Sequence, residues 1–132
     1  MCMVNGYAIR LLSTIDRITI FVDKNNAMNR PGYIHMVYFW LRDDVSEAQR
    51  SNFHQGVADL TKCKTILNAF IGPPAMTPRD VVDNSYDYAL LVFFKNKSDH
   101  DAYQNDPDHH KFIQDHKDIW ARVQVYDHLP VQ

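Results

Sequence analysis

The segment AYQNDPDHHKFIQDHKDIW, residues 102–120, holds three of the chain's seven histidines, with Tyr103 just ahead of them. Imidazole titrates near neutrality, so it serves as general base, metal ligand or hydrogen-bonded core residue. A nearby tyrosine adds a hydroxyl that can polarise a carbonyl. Which chemistry applies depends on where each side chain points. At helical spacing His109, Phe112, Ile113, His116 and Trp120 fall at i, i+3, i+4, i+7 and i+11 and share one face. Its three apolar members turn that face toward a core. His110 lies about 100° around the helix, with Lys111 and Asp115, and is expected in water. No metal is expected from this helix: His109, His110 and Asp108 are neighbours that face apart, and His116 is two turns from His109. For His109 and His116 the plain alternative is a structural hydrogen bond at a helix–sheet boundary.

The elements around this segment follow from pattern. YIHMVYFWL (33–41) is rich in aromatic and β-branched residues and reads as a strand. SEAQRSNFHQGVADLTKC opens with Ser46 and Gln49 at capping-box spacing, and Phe53, Val57 and Leu60 form one apolar helical stripe. TILNAFIG is a second strand, PPAMTPRDVVDNS a loop holding three of the six prolines, and YDYALLVFFK a third strand. Ser98 is expected to cap a short helix through Tyr103. Asp106-Pro107 reads as an N-cap with Pro at N1, starting a helix to about Trp120. RVQVYDHL closes the chain as a fourth strand. The order βαββαβ is the ferredoxin-like pattern, an α+β subunit with helices on one face of a four-stranded antiparallel sheet.

Composition narrows the function classes. The 132 residues suffice for one main domain, 45% hydrophobic and 23% charged, as in ordinary soluble chains. A formal charge of −2, with no Lys/Arg block, offers neither a nucleic-acid footprint nor an anionic-lipid surface. Cys2 and Cys63 match no zinc spacing or disulfide framework, which points to a reducing cytoplasm and a structural Cys63. AIRLLSTIDRITIFV is apolar, yet Arg10, Asp16 and Arg17 interrupt it, so neither signal peptide nor spanning helix is expected. Residues 1–31 read as an N-terminal extension, ending in the linker-like DKNNAMNRPG, and 32–132 as the domain. Phosphate-loop, dinucleotide and Ser-His-Asp signatures are absent.

Alternation along the strands carries two further expectations. In the first domain strand His35, Val37 and Phe39 share one face, and Ile34, Met36, Tyr38 and Trp40 the other. The third strand is likewise apolar on both sides, with Leu90, Val92 and Phe94 opposing Leu91 and Phe93. Helices cover one sheet face only, so the other would expose more apolar surface than a soluble monomer tolerates. The simplest cover is a second copy, sheet against sheet, through Ile34, Met36, Tyr38, Trp40, Leu91 and Phe93. The N-terminal extension is the other candidate cover. In the ferredoxin-like strand order the first strand runs antiparallel beside the fourth, which pairs His35 with Asp127. A carboxylate there would fix the imidazole tautomer and raise its basicity, or merely pin two strand ends.

IHMVYFWLRDDVSEAQ, the YDYALLVFF strand, AYQNDPDHHKF and the terminal VQVYDHLP together resemble the stress-responsive dimeric α/β barrel (Dabb) family. The resemblance covers roughly residues 33–130. It implies a ferredoxin-like subunit that dimerises through its sheet into a barrel. It implies less about activity. A plant polyketide cyclase of that family, which makes olivetolic acid, uses a tyrosine and a histidine at positions that correspond here to Tyr103 and His109. Trp120, His35 and Phe53 match further pocket positions, whereas the QNDPDH segment is more polar than its counterpart in the cyclase.

Three functions are consistent with these residues. One is a lyase-, cyclase- or isomerase-type enzyme without metal or organic cofactor. In it His109 is general base, Tyr103 polarises a carbonyl, and His35, oriented by Asp127, holds a proton or second oxygen. The pocket, between helices and sheet, would be lined by Val37, Phe39, Phe53, Val57, Leu90, Phe112 and Trp120, and would take a small apolar or carbonyl-containing ligand. The second is a non-catalytic stress-responsive or ligand-binding dimer using the same pocket. The third is a cofactor-independent monooxygenase, as in related α/β-barrel families. A cavity of ~300 Å³ or more reaching His109 distinguishes a ligand site from side chains that fill the space solidly.

Overall fold

A computed structural model describes residues 7–11, 18–22 and 30–131. The chain divides into two compact units, Met1–Arg30 and Pro31–Gln132. In the first, β1 (Tyr7–Leu11) pairs antiparallel with β2 (Ile18–Val22). Most of the linker-like stretch before Arg30 lies outside the described residues.

The second unit runs β3 (Tyr33–Leu41), α1 (Glu47–Leu60), β4 (Ile66–Gly72), β5 (Tyr88–Phe94), α2 (Lys97–Gln104), α3 (Pro107–His116), a 3-10 turn (Lys117–Ile119) and β6 (Trp120–His128). Its sheet order is β4-β5-β3-β6 with every neighbour antiparallel. This is the ferredoxin-like arrangement. No helix among the described residues is long and apolar enough to cross a membrane.

Local chemistry sets the helix starts. Gln49 N–H donates to Ser46 Oγ (3.2 Å) and Ser46 N–H donates to Gln49 Oε1 (2.8 Å), a reciprocal capping box that starts α1. Asp106 caps α3 by accepting from Asp108 N–H at 2.8 Å, with Pro107 in the first turn. Two boundaries differ from expectation. Asn96, not Ser98, caps α2: its side-chain oxygen accepts from Asp99 N–H at 2.8 Å, which leaves Ser98 inside the first turn. The last helix stops at His116 rather than near Trp120. Pairing captures the segment instead, since Trp120 aligns with Leu41 and Arg42 N–H donates to the Ile119 carbonyl at 2.9 Å. The intervening residues tighten into the 3-10 turn.

The core lies between helices and sheet. Val37, Phe39, Leu41, Leu90, Val92 and Phe94 meet Phe53, Val57 and Leu60 of α1, with Tyr103, Phe112 and Ile119 closing the far side. Phe53 rings contact Phe39 (5.1 Å) and Phe112 (6.0 Å), tying α1 to both strand and helix. On the opposite sheet face Ile34, Met36, Tyr38, Trp40, Leu91 and Phe93 are only half-buried, and Phe70 (55%) and Tyr126 (57%) are exposed.

Helices α1 and α3 approach closely because Gly56 has no side chain. A Cβ there would sit 2.2 Å from His116 Nε2. Gly56→Ala gains about 1 kcal/mol of helix propensity but forces the imidazole aside, at an overpacking cost of ~1–3 kcal/mol. We expect Gly56→Ala to lower stability in urea unfolding, and the same change in a His116→Ala background to raise it. Equal effects in the two backgrounds would disprove the contact.

Candidate functional site

The site forms where β3 begins and β6 ends. Antiparallel register sets His35 opposite Asp127, Val37 opposite Val125 and Phe39 opposite Val123, all on the helix side. His35 Nδ1 lies 2.5 Å from Asp127 Oδ1. A carboxylate at that distance holds the proton on Nδ1 and leaves Nε2 with its lone pair. Burial pushes the His35 pKa below the ordinary histidine value, and His100 adds to that, while Asp127 opposes it. His35 is therefore a neutral, oriented base at pH 7.

Helix α2 brings two side chains from above. His100 and Tyr103, three residues apart, both point inward and are buried. The His100 ring stacks on Tyr33 (4.2 Å between centroids) and lies 5.1 Å from His35. Helix α3 then places His109 beside Tyr103, their rings 4.6 Å apart. Burial lowers the His109 pKa. His35 and His110 lower it further, against smaller contributions from the Gln104 carbonyl and Asp106. Burial also raises the Tyr103 hydroxyl far above its usual value, so it stays a donor across the physiological range. His110 faces out and meets the Gln104 carbonyl at 3.0 Å.

These groups surround a cavity of about 300 Å³, lined by His35, Val37, Phe39, Leu90, His100, Tyr103, Gln104, His109, Phe112, Ile113, Trp120, Val123, Val125 and Asp127. It exists because α2 and α3 do not reach across β6. Val123 and Val125, on the helix side, remain 38% and 41% exposed. Phe53 and Val57 lie outside this lining. Both are fully buried in the core behind it, because the α1 stripe faces the β3–β5 half of the sheet. Ile113, Val123, Val125, Gln104 and His100 join the lining. For His100 the sequence held a usable signal, its three-residue spacing from Tyr103.

Three buried side-chain polar atoms among the described residues lack a hydrogen-bond partner: His100 Nε2, His109 Nδ1 and Trp120 Nε1. All three belong to residues that line this one cavity. Buried polar groups are normally satisfied, so their convergence marks a polar pole in an otherwise apolar pocket. For a metal, the histidines of α3 do not converge. His35, His100 and Asp127 do, each offering a ligand atom within 4.8 Å of the other two.

No curated protein matches the chain. Among solved structures it is similar to a dimeric ferredoxin-like protein of unknown function from Thermobifida fusca (19% identity, TM-score 0.64, covering 76% of this chain and 92% of that one). A Dabb family protein with a ferredoxin-like fold from Mesorhizobium loti matches at 18% identity and TM-score 0.63, covering 76% and 97% of the two chains. The hydroxynitrile lyase of Passiflora edulis matches at 15% identity and TM-score 0.66, covering 78% and 97%. At these identities the likeness concerns the fold. The sequence itself matches the family model of the Stress Responsive A/B Barrel Domain over residues 34–129, so the chain belongs to the Dabb family.

Proposed function

We propose that this Dabb protein acts as a homodimer whose subunits each bind a small carbonyl-containing molecule between helices and sheet and process it by lyase-type acid–base chemistry. The observation that carries this reading is the gathering of His35, Tyr103, His109 and Asp127 at one end of an otherwise apolar cavity of about 300 Å³. A ligand with a polar head and an apolar body matches that lining. Its oxygen accepts from the Tyr103 hydroxyl, and its body lies against Val37, Phe39, Leu90 and Phe112.

His109, kept neutral by burial, is the base. In the breakdown of a cyanohydrin it takes the hydroxyl proton as the carbon–carbon bond to the nitrile breaks. The electron pair of that bond leaves with cyanide, an aldehyde remains, and the imidazolium returns the proton to cyanide. Tyr103 donates to the oxygen throughout, and His35, oriented by Asp127, holds the second polar group. The fold it shares with a plant hydroxynitrile lyase supports the choice of probe.

The outer sheet face supports the dimer: Tyr38, Trp40 and Phe93 are only half-buried there and Phe70 and Tyr126 are exposed, a contiguous apolar surface that a second copy would cover. Relatives of the same fold are described as dimeric. Trp40→Asp or Phe93→Asp should give a monomer or an aggregate, because a buried unpaired charge costs several kcal/mol. Sedimentation of the natural chain as a monodisperse monomer at micromolar concentration would exclude this interface.

Benzaldehyde binding, followed by tryptophan fluorescence, and cyanide release from mandelonitrile test the site. His109→Gln should keep aldehyde affinity within a few-fold and lose about 10²-fold or more of turnover. His110→Ala should leave both unchanged, since exposed substitutions rarely matter by more than ~0.5 kcal/mol. Equal, negligible effects of the two changes would reduce His109 to a structural residue.

The same base sets a pH dependence. A histidine with a depressed folded-state pKa is fully active above the ordinary value of ~6.5, and activity falls as pH drops through the depressed value. Conformational stability should fall in the same direction, because His35, His109 and His116 are all buried with lowered pKa values and must take up protons on unfolding. Thermal melts between pH 8 and pH 5 check this, and a melting temperature that rises on acidification would contradict it.

A further inference from the structure

The acid–base reading makes no use of His100, although it is one of the most deeply placed polar side chains of the domain. Its Nδ1 lies 3.2 Å from Asp101 Oδ1, which holds the ring proton there and directs the lone pair to Nε2. That Nε2 is buried and has no hydrogen-bond partner. The ring is held rigidly, stacked at 24° on Tyr33 and packed edge-on against Phe94. Beside it stand His35 and Asp127, and one ligand atom from each of the three residues lies within 4.8 Å of the other two. Three Lewis bases thus converge on one wall of the cavity.

We propose that His35, His100 and Asp127 form a binding site for a divalent first-row transition cation of the zinc type. Two imidazoles and one carboxylate are a borderline N/O donor set, suited to Zn²⁺ or Fe²⁺ and not to Mg²⁺, which prefers oxygen ligands and its own waters. Three protein ligands leave at least one coordination position open, and here it opens to the cavity that also holds His109 and Tyr103. The hydrogen bond from His100 Nδ1–H to Asp101 is the outer support that a metal-bound histidine usually has. The cation replaces the proton now shared by His35 Nδ1 and Asp127, and that proton leaves to solvent. The ligands come from β3, α2 and β6, so binding ties both edges of the cavity to the central strand.

This inference goes beyond the acid–base reading and is tested without activity. Native mass spectrometry and titration calorimetry with ZnCl₂ should show one Zn²⁺ per subunit, and CoCl₂ should give visible d–d absorption of a nitrogen/oxygen site. MgCl₂ at the same concentration should not bind. His100→Phe preserves the stack on Tyr33 and should weaken Zn²⁺ at least tenfold, with Asp127→Asn behaving likewise. His109→Gln, which ends turnover in the acid–base reading, should leave Zn²⁺ binding intact. Cys63→Ser and His110→Ala remove other zinc-seeking side chains and should not matter. Absence of stoichiometric Zn²⁺, or Zn²⁺ affinity unchanged by a folded His100→Phe, would overturn the site. So would affinity lost only with Cys63 or His110.

Discussion

Everything in this domain depends on β3 having to be covered twice. It lies between β5 and β6, and both of its faces are apolar. A strand so placed has its backbone satisfied by two ladders, and its side chains then demand a packing partner on either side. On one side α1 supplies Phe53 and Val57, which are excluded from water completely. On the other side no helix of the Pro31–Gln132 unit packs among the described residues, and the half-buried row from Ile34 to Trp40 is the surface on which the proposed dimer rests. Trp40 is only partly masked, by a bond from its Nε1–H to Ser85 Oγ and by Arg122 over its ring at 4.3 Å.

The cavity is a consequence of unequal coverage on the helix side. Helix α1 packs over the β3–β5 half of the sheet, and α2 with α3 close the end where β3 begins. The helix side of β6 is left short of cover, so Val123 and Val125 stay partly exposed beside deeply buried residues of β3. A pocket made this way has apolar walls of strand side chains. Its polar groups come from the chain segments that rim it: the start of β3, the end of β6 and the inward faces of α2 and α3. That is why His35, His100, His109 and Asp127 gather at one pole although they are far apart in sequence.

Burial also decides what these histidines can do. An imidazole removed from water resists protonation, and in His35 and His109 this outweighs the neighbouring acids. Neutral imidazoles are good bases and good metal ligands, and their cations are neither. The same environment therefore supports proton transfer through His109 and cation binding through His35.

Local sequence determined much of this protein. The strand at 33–41, the capping box at Ser46 and Gln49, the Asp106-Pro107 helix start and the inward face of His109 all follow from interactions spanning a few residues, which composition and spacing encode directly. Even the His35–Asp127 pairing was legible, since strand order and alternation leave one register that keeps the apolar faces buried. The remainder was decided by packing between distant elements. The helix end at His116 yields to the pairing of Trp120 with Leu41, and the cap of α2 shifts to Asn96. The cavity wall excludes Phe53 and Val57 and takes in Val123, Val125 and His100. Which side of a helix meets a core is written in its period. Which part of a sheet that helix leaves uncovered depends on how three helices share one face, and no local pattern records that.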